Sequence, residues 1–405
     1  MNPVIILQMI TEVGRGLSFP ESNKPERRSK KINILMFILL CLLIAGLGLY
    51  AYARSKNISL ESINPFKSSA SQKAGTNAEL SKIKYDSIDH PDFIIQNQTI
   101  IKYTKDYIKG IGKNGDELWT VQLNTTNPLV KASDGGILVA DIEGKDIYVI
   151  KNKEIKWSKK LDDNIINADI NDKGYVTVVH EAKGYRNAVT EFNSNGEKYF
   201  SRFINETNVL SARASSSGDK VLITSVDTNG VTADTNIEFT DKLGNPLSKV
   251  VKKDSILPYV NFLGDDYVLA AGNSSLTLYD DNYKEKWNID FKNSEVFSAI
   301  IVAGKYAAAA VGGEGQNGSD TISIKILDTD GKSEGEYKVN SEVKGIYSYG
   351  KTIGVNTGRQ VLFINTSGEL LKKFDSQNDI TKVCFFDSSE AMIVSKADIE
   401  IFKIN

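Results

Sequence analysis

The chain has 405 residues, 41% of them hydrophobic, enough for a sizeable core, and a formal net charge of −2. That charge is uneven: residues 1–31 carry a net +3 and residues 32–80 a net +2, leaving −7 for the rest. A mildly acidic C-terminal part lacks the concentrated basic face that a phosphate backbone requires, so no nucleic-acid partner is expected.

The first 31 residues form a basic tail, expected to be cytoplasmic, with Lys24, Arg27, Arg28, Lys30 and Lys31 at its end. An apolar stretch from Val4 to Ile10 within it reads either as a short contact helix or as a start placed too far upstream. Residues 32–53 read as a transmembrane helix, because Ile32–Tyr52 contains no charge and about 20 such residues span the hydrocarbon core. Basic residues cluster before this run and only Arg54 and Lys56 follow closely, which predicts a single pass through the cell membrane. The N-terminus is then cytoplasmic and the C-terminal part extracytoplasmic. The Ala51-Tyr52-Ala53 triplet offers a cleavage site that would instead release the domain, although the apolar run exceeds a usual signal core. Residues 54–82, rich in Ser, Asn, Lys and Ala, read as a flexible stalk, since so few apolar groups cannot offset the entropy of ordering.

From residue 83 onward, short runs rich in Ile, Val, Tyr and Phe alternate with turns. A unit recurs in which a polar turn, often with Gly, leads to an aromatic. It reads Asn114-Gly115 to Trp119, Asn152 to Trp157, Asn195-Gly196 to Phe200, and Asn282 to Trp287. Further copies are Asp330-Gly331 to Tyr337 and Ser367-Gly368 to Phe374, with a degenerate one at Gly244 and Val250. The end positions are spaced by 38, 43, 50, 37, 50 and 37 residues, a period expected of four-stranded propeller blades. Asn-Gly and Asp-Gly accept the positive φ of tight hairpins, so these turns join the two outer strands of a blade. The aromatic is placed to wedge between neighbouring sheets. First strands near residues 93, 128, 165, 208, 258, 297, 343 and 380 give an all-β propeller over residues 83–405. Eight four-stranded blades are expected, seven being the alternative. Ile83–Ile88 is placed to complete the last blade.

The Gly-x-x-x-Trp ending of Gly115-Asp116-Glu117-Leu118-Trp119 resembles the PQQ-like repeat propellers. The whole layout resembles bacterial families with a short basic tail, one helix and a PQQ-like or WD40-like propeller. The resemblance implies the fold and argues against quinone chemistry, because the vicinal cysteine pair of the PQQ enzymes is absent: the cysteines are Cys41 and Cys384.

No catalytic constellation emerges, and no cofactor or metal is expected. His90 and His180 are isolated and read as structural or surface residues. Gly313–Gly318 satisfies G-x-G-x-x-G, but the strand-like Thr321–Leu327 follows where a dinucleotide site needs a helix. Asp328-Thr329-Asp330-Gly331 resembles the start of a calcium loop but coincides with the repeated turn. Asp162, Asp163, Asp169 and Asp172 read as solvated blade edges.

Loops between second and third strands should share one ring face. They read as long at Glu181–Asn187, Asp227–Asn236 and Gly312–Asp320. Tyr185, Arg186 and Arg359 are the binding candidates there, since Tyr and Arg dominate interface hot spots. The expected function is a membrane-anchored, non-enzymatic scaffold in the cell envelope. Its bilayer contact would be residues 32–53, and its partner an envelope protein or polysaccharide. The alternative is an extracellular carbohydrate-active hydrolase or lyase with carboxylates in the channel.

Overall fold

A computed structural model describes residues 79–313 and 321–404. The basic tail, the helix expected at 32–53, most of the stalk and the glycine-rich loop beyond Gly313 lie outside the described residues. No helix long and apolar enough to cross a membrane occurs among the described residues.

The described chain folds into eight four-stranded antiparallel sheets. Seven are built from consecutive strands, spanning 92–122, 128–160, 165–204, 208–252, 259–290, 295–339 and 345–375. They are blades one to seven. Blade eight takes three strands from the C-terminus, Ile380–Asp387, Glu390–Ser395 and Asp398–Lys403, and its fourth from Glu79–Lys84. The first strand of each blade is the inner one and the fourth the outer one.

The closing strand is therefore Glu79–Lys84, four residues earlier than Ile83–Ile88, and it takes up the end of the expected stalk. Lys82 pairs with Glu400, Ile83 with Ile399 and Lys84 with Asp398. Beyond Lys84 the ladder ends in a turn, in which Ile88 N–H donates to Asp86 Oδ1 and His90 N–H to Ser87 O. Ile83 joins Phe93, Ile399 and Ile401 in the core between blades eight and one. Lys82 forms ion pairs with Asp398 and Glu400, and Ser81 Oγ donates to Lys113 O of blade one.

The core is a ring of apolar layers, each shared by two neighbouring sheets. Between blades two and three, for example, Leu138, Val149 and Trp157 pack with Ala168, Val176 and Val178. A middle strand meets a neighbouring sheet on both faces, so it is apolar throughout instead of alternating. Gly136–Asp141 and Thr352–Asn356 are buried at every position. Outer strands are mostly exposed, as in Glu154–Lys160, where only Trp157 is buried. Their exposed lysines, such as Lys156, Lys159, Lys198 and Lys249, discourage edge-to-edge pairing with other chains.

The repeated aromatic and the repeated glycine meet across three blade boundaries, whereas between blades six and seven it is Gly335, two residues before the expected aromatic Tyr337, that lies against Gly368. A Cβ on Gly196 would lie 2.8 Å from Trp157 of blade two, and one on Gly244 2.7 Å from Phe200 of blade three. Trp287 likewise packs on Gly331 and donates from Nε1 to Thr329 O at 3.1 Å. At the ring closure Ile83 takes the aromatic's place, 3.4 Å from a Cβ built on Gly115. In blade five the turn glycine is replaced by Tyr283 (φ 63°), and the preceding outer strand offers the small Val250 instead of an aromatic.

Candidate functional site

Alternating strand direction sorts the connections onto two faces. First-to-second and third-to-fourth hairpins lie on one, the turn face. Second-to-third loops and the connections between blades lie on the other, the loop face. On the turn face an Asp or Asn side chain caps most third-to-fourth turns. Asp328 Oδ1 accepts N–H from Asp330 and Lys332, and Asn193, Asp241, Asp280 and Asn365 do the same two and four residues on. The calcium-like signature at Asp328 is thus a turn device.

The three candidate residues all fall on the loop face, but the ring separates them. Tyr185 opens the strand Tyr185–Phe192 of blade three, 45% exposed, with its ring 4.9 Å from that of Phe203. Arg186 donates from Nε to Asn205 O and from a terminal nitrogen to Asn229 Oδ1, both at 3.1 Å. Asn229 in turn donates to Glu206 O, so Arg186 pins the loop of blade four to the connection between blades three and four. Arg359 lies in blade seven, four blades from blade three, and pairs with Asp379 at 3.0 Å. It lines a cavity of about 630 Å³ with Tyr337, Lys338, Leu370 and Asp375. Tyr185 and Arg186 therefore form one neighbourhood and Arg359 another.

Two of the three loops expected to be long can be checked. In blade three the ladder continues to Ala182 opposite Tyr185, leaving a two-residue turn, Lys183-Gly184, with Gly184 at φ 84°. The apparent length of Glu181–Asn187 is strand, because glycine closes the hairpin tightly. In blade four, residues 228–233 do form a loop between Asp227 and Asp234. In blade six the strands end at Gly313 and resume at Thr321, and the residues between lie outside the described chain.

The structure adds residues that the sequence reading missed. Four inner strands carry one extra residue near their loop-face end: that of blade eight has the polar Thr381 between Ile380 and Lys382, and those of blades three, four and six have an apolar residue. Ile165 pairs with His180 and Asn167 with Val179; Val209 with Ser225 and Ser211 with Thr224; Val296 with Val311 and Ser298 with Ala310. The unpaired apolar residues are Ile166, Leu210 and Phe297, at 39%, 40% and 50% exposure. Such bulges re-aim a side chain out of the sheet. Asn167 Nδ2 holds the second bulge by donating to Leu210 O at 2.9 Å. The signal was present: Ile165-Ile166, Val209-Leu210 and Val296-Phe297 are adjacent apolar pairs that break the period of two. Phe203, Val231, Val251 and Ile256 are also exposed, at loop-face ends of blades three and four and the connection to blade five.

Polar groups in the ring interior are mostly paired. Asp92 accepts from Tyr103 OH at 2.6 Å and pairs with Lys382 of blade eight at 2.5 Å, while Asp169 pairs with Lys131 of blade two at 2.6 Å. His180 bridges Thr190 Oγ1 and Glu181 O, a structural position. Burial pushes the Cys384 thiol up to about 12, which removes its nucleophilic form. Glu191 stands apart. It is fully buried between blades three and four, neither carboxyl oxygen has a hydrogen-bond partner, and burial pushes its pKa up to about 8. Among the described residues no group of three or more His, Cys, Asp or Glu is placed to hold a metal.

Eight four-stranded blades closed into a ring define a β-propeller. Residues 76–404 match the model of a family described as "Family of unknown function (DUF5711)", and the chain belongs to that family. No curated protein matches it. Among solved structures it is similar to BamB from Moraxella catarrhalis, at 14% identity and TM-score 0.51, covering 80% of this chain and 97% of that one. It is also similar to Sqt1 from Chaetomium thermophilum, at 8% identity and TM-score 0.56, covering 81% and 99%. At such identities the likeness concerns the fold.

Proposed function

We propose that this protein is a membrane-anchored scaffold of the cell envelope whose propeller captures a protein through its loop face. The observation that carries the reading is the exposed Tyr185–Phe203 aromatic pair on that face, with Arg186 beside it. Large apolar groups gathered on one face of a soluble fold mark interaction surfaces, and aromatic residues beside arginine are typical anchors. The anchor itself rests on the uncharged run within residues 32–53 and the basic residues before it, which place the propeller outside the cytoplasm. A hydrolase or lyase reading draws no support from the channel, where Asp92 and Asp169 are each taken up by a lysine.

Two measurements test this. Alkaline washing of membranes should leave the full chain bound and release a variant lacking residues 32–53; release of both removes the anchor. Photo-crosslinkers placed at Tyr185 and Phe203 in intact cells should trap one discrete protein, while one placed at Leu243 on the turn face traps none. Equal labelling from both faces overturns the loop-face reading.

A further inference from the structure

The three apolar bulges have a common consequence, which the fourth, at Thr381 of blade eight, does not share. Each turns one large apolar side chain out of an inner strand at the loop-face end, where the inner strands surround the channel. Ile166 and Leu210 lie on adjacent blades, and Phe297 on the far side of blade five. The same three blades carry the longest second strands, Val176–Ala182, Lys220–Asp227 and Tyr306–Gly313. The apolar bulges and the longest second strands thus fall on the same three blades, which makes a crescent of apolar groups along one side of the channel mouth.

The chemistry beside Phe297 narrows the occupant. Phe297 lines a cavity of about 530 Å³ with Ile322 and Val343, and Glu295 and Glu342 stand at its edge. Glu342 is paired with Lys344 at 2.6 Å, whereas Glu295 has no cationic partner among the described residues. An apolar floor with a carboxylate rim suits a lysine or arginine side chain, whose aliphatic stem packs on the floor while its charged end meets the acids. Arginine gains further from the face of a phenylalanine ring. The same carboxylates disfavour an anionic bilayer. The aliphatic Ile166 and Leu210 lack the polar groups and flat rings that hold sugars.

We propose that the channel mouth of blades three to six docks a polypeptide segment in which apolar side chains cover Ile166 and Leu210 and a neighbouring basic side chain enters the Phe297 hollow. This rests on the loop-face reading above and names the chemistry of the partner. The bulged residues make no core contribution that the fold requires, so their exposure is a property of the surface they form.

The test pans random displayed dodecapeptides on the immobilised full chain. The expected result is enrichment of peptides pairing apolar residues with Lys or Arg. Their affinity should fall at least about tenfold on a variant carrying Ile166→Ser, Leu210→Ser and Phe297→Ser, a discrimination of about 1.4 kcal/mol. Glu295→Gln with Glu342→Gln should remove the preference for basic residues and leave that for apolar ones. Thermal unfolding of each variant checks folding, and single substitutions replace the triple one if it melts early. Peptides that bind the triple variant as tightly as the parent overturn the inference. If those peptides are instead lost on Tyr185→Ser with Phe203→Ser, the loop face still binds protein and only the channel-mouth site is wrong. If enriched peptides depend on neither set, or none is enriched, both readings fall. Binding to phosphatidylglycerol vesicles that the triple variant abolishes would also overturn it, by assigning the crescent to lipid.

Discussion

Trp157 of blade two packs so closely on Gly196 of blade three that a Cβ there would lie 2.8 Å from its ring. Gly196 also has φ 81°, which an L side chain adopts only with strain. The aromatic and the glycine are 39 positions apart in the chain, one repeat, so blade three carries the socket for blade two's knob, as blades four and six do for Phe200 and Trp287. Val250 and Tyr283 show the inverse arrangement, in which a large turn residue faces a small strand residue.

Gly196→Ala should therefore cost more than Gly184→Ala. Gly184 has a similar φ of 84° but nothing within 4 Å of a Cβ, so it reports the backbone term alone, about 1 kcal/mol. Gly196→Ala adds a clash of the overpacking kind, about 1–3 kcal/mol. Urea denaturation midpoints of the two variants measure the difference, and equal shifts would dismiss the socket.

Glu191 predicts a dependence on pH. Its folded pKa of about 8 lies above the ordinary glutamate value of 4.5, so between those two pH values the folded state keeps a proton that the unfolded state has lost. Its contribution to stability is greatest below about pH 4.5, falls through the interval and levels off above about pH 8. Replacing it by Gln keeps the shape and removes the titration. Relative to parent, Glu191→Gln should gain on the order of 3–5 kcal/mol across that interval. Chemical denaturation at a series of pH values reads the difference, and parallel curves would show that the carboxyl is solvated.

Arg186→Ala should free residues 228–233. Losing two hydrogen bonds from a charged donor costs about 1–3 kcal/mol where both are made, but these are exposed, so a global loss of about 1 kcal/mol or less is expected. The sharper readout is amide hydrogen exchange: faster exchange confined to 205–207 and 228–233, with blade seven unchanged.

Ile83→Ala should weaken ring closure, by about 2–3 kcal/mol for a partly buried isoleucine. Deleting residues 79–84 should do more, since it leaves Asp398–Lys403 as an open edge strand. Light scattering on warming should show earlier self-association for the deletion than for Ile83→Ala.

The repeat itself was legible in the sequence because tight turns demand particular residues. Asn114-Gly115, Asn195-Gly196 and Asp330-Gly331 mark positive φ, and the aromatic that follows marks the outer strand. First strands expected near 93, 128, 165 and 208 begin at 92, 128, 165 and 208. The closing strand was placed too late because Ile83–Ile88 looks strand-like locally, whereas its fate depends on Asp398–Lys403, over 300 residues away. The loop of blade three was read as too long for a similar reason: only the partner strand shows that Tyr185 still pairs with Ala182.

The candidate site was half legible. Tyr185 and Arg186 were singled out from residue type, and the three fall on one face because strand direction alternates. Their separation from Arg359 was not readable, since a list of loops carries no angle around the ring. Nor was the pairing of Asp92 with Lys382 or of Asp169 with Lys131, which depends on neighbouring blades. By itself, then, the sequence determined the blade period and the turns, which are set within a repeat, and the wedge aromatics Trp157, Phe200 and Trp287, which the repeated turn marks. The eight-membered ring, its closing strand and the bulged crescent at the channel mouth were decided by tertiary structure, because each depends on register between strands that only the closed ring brings together.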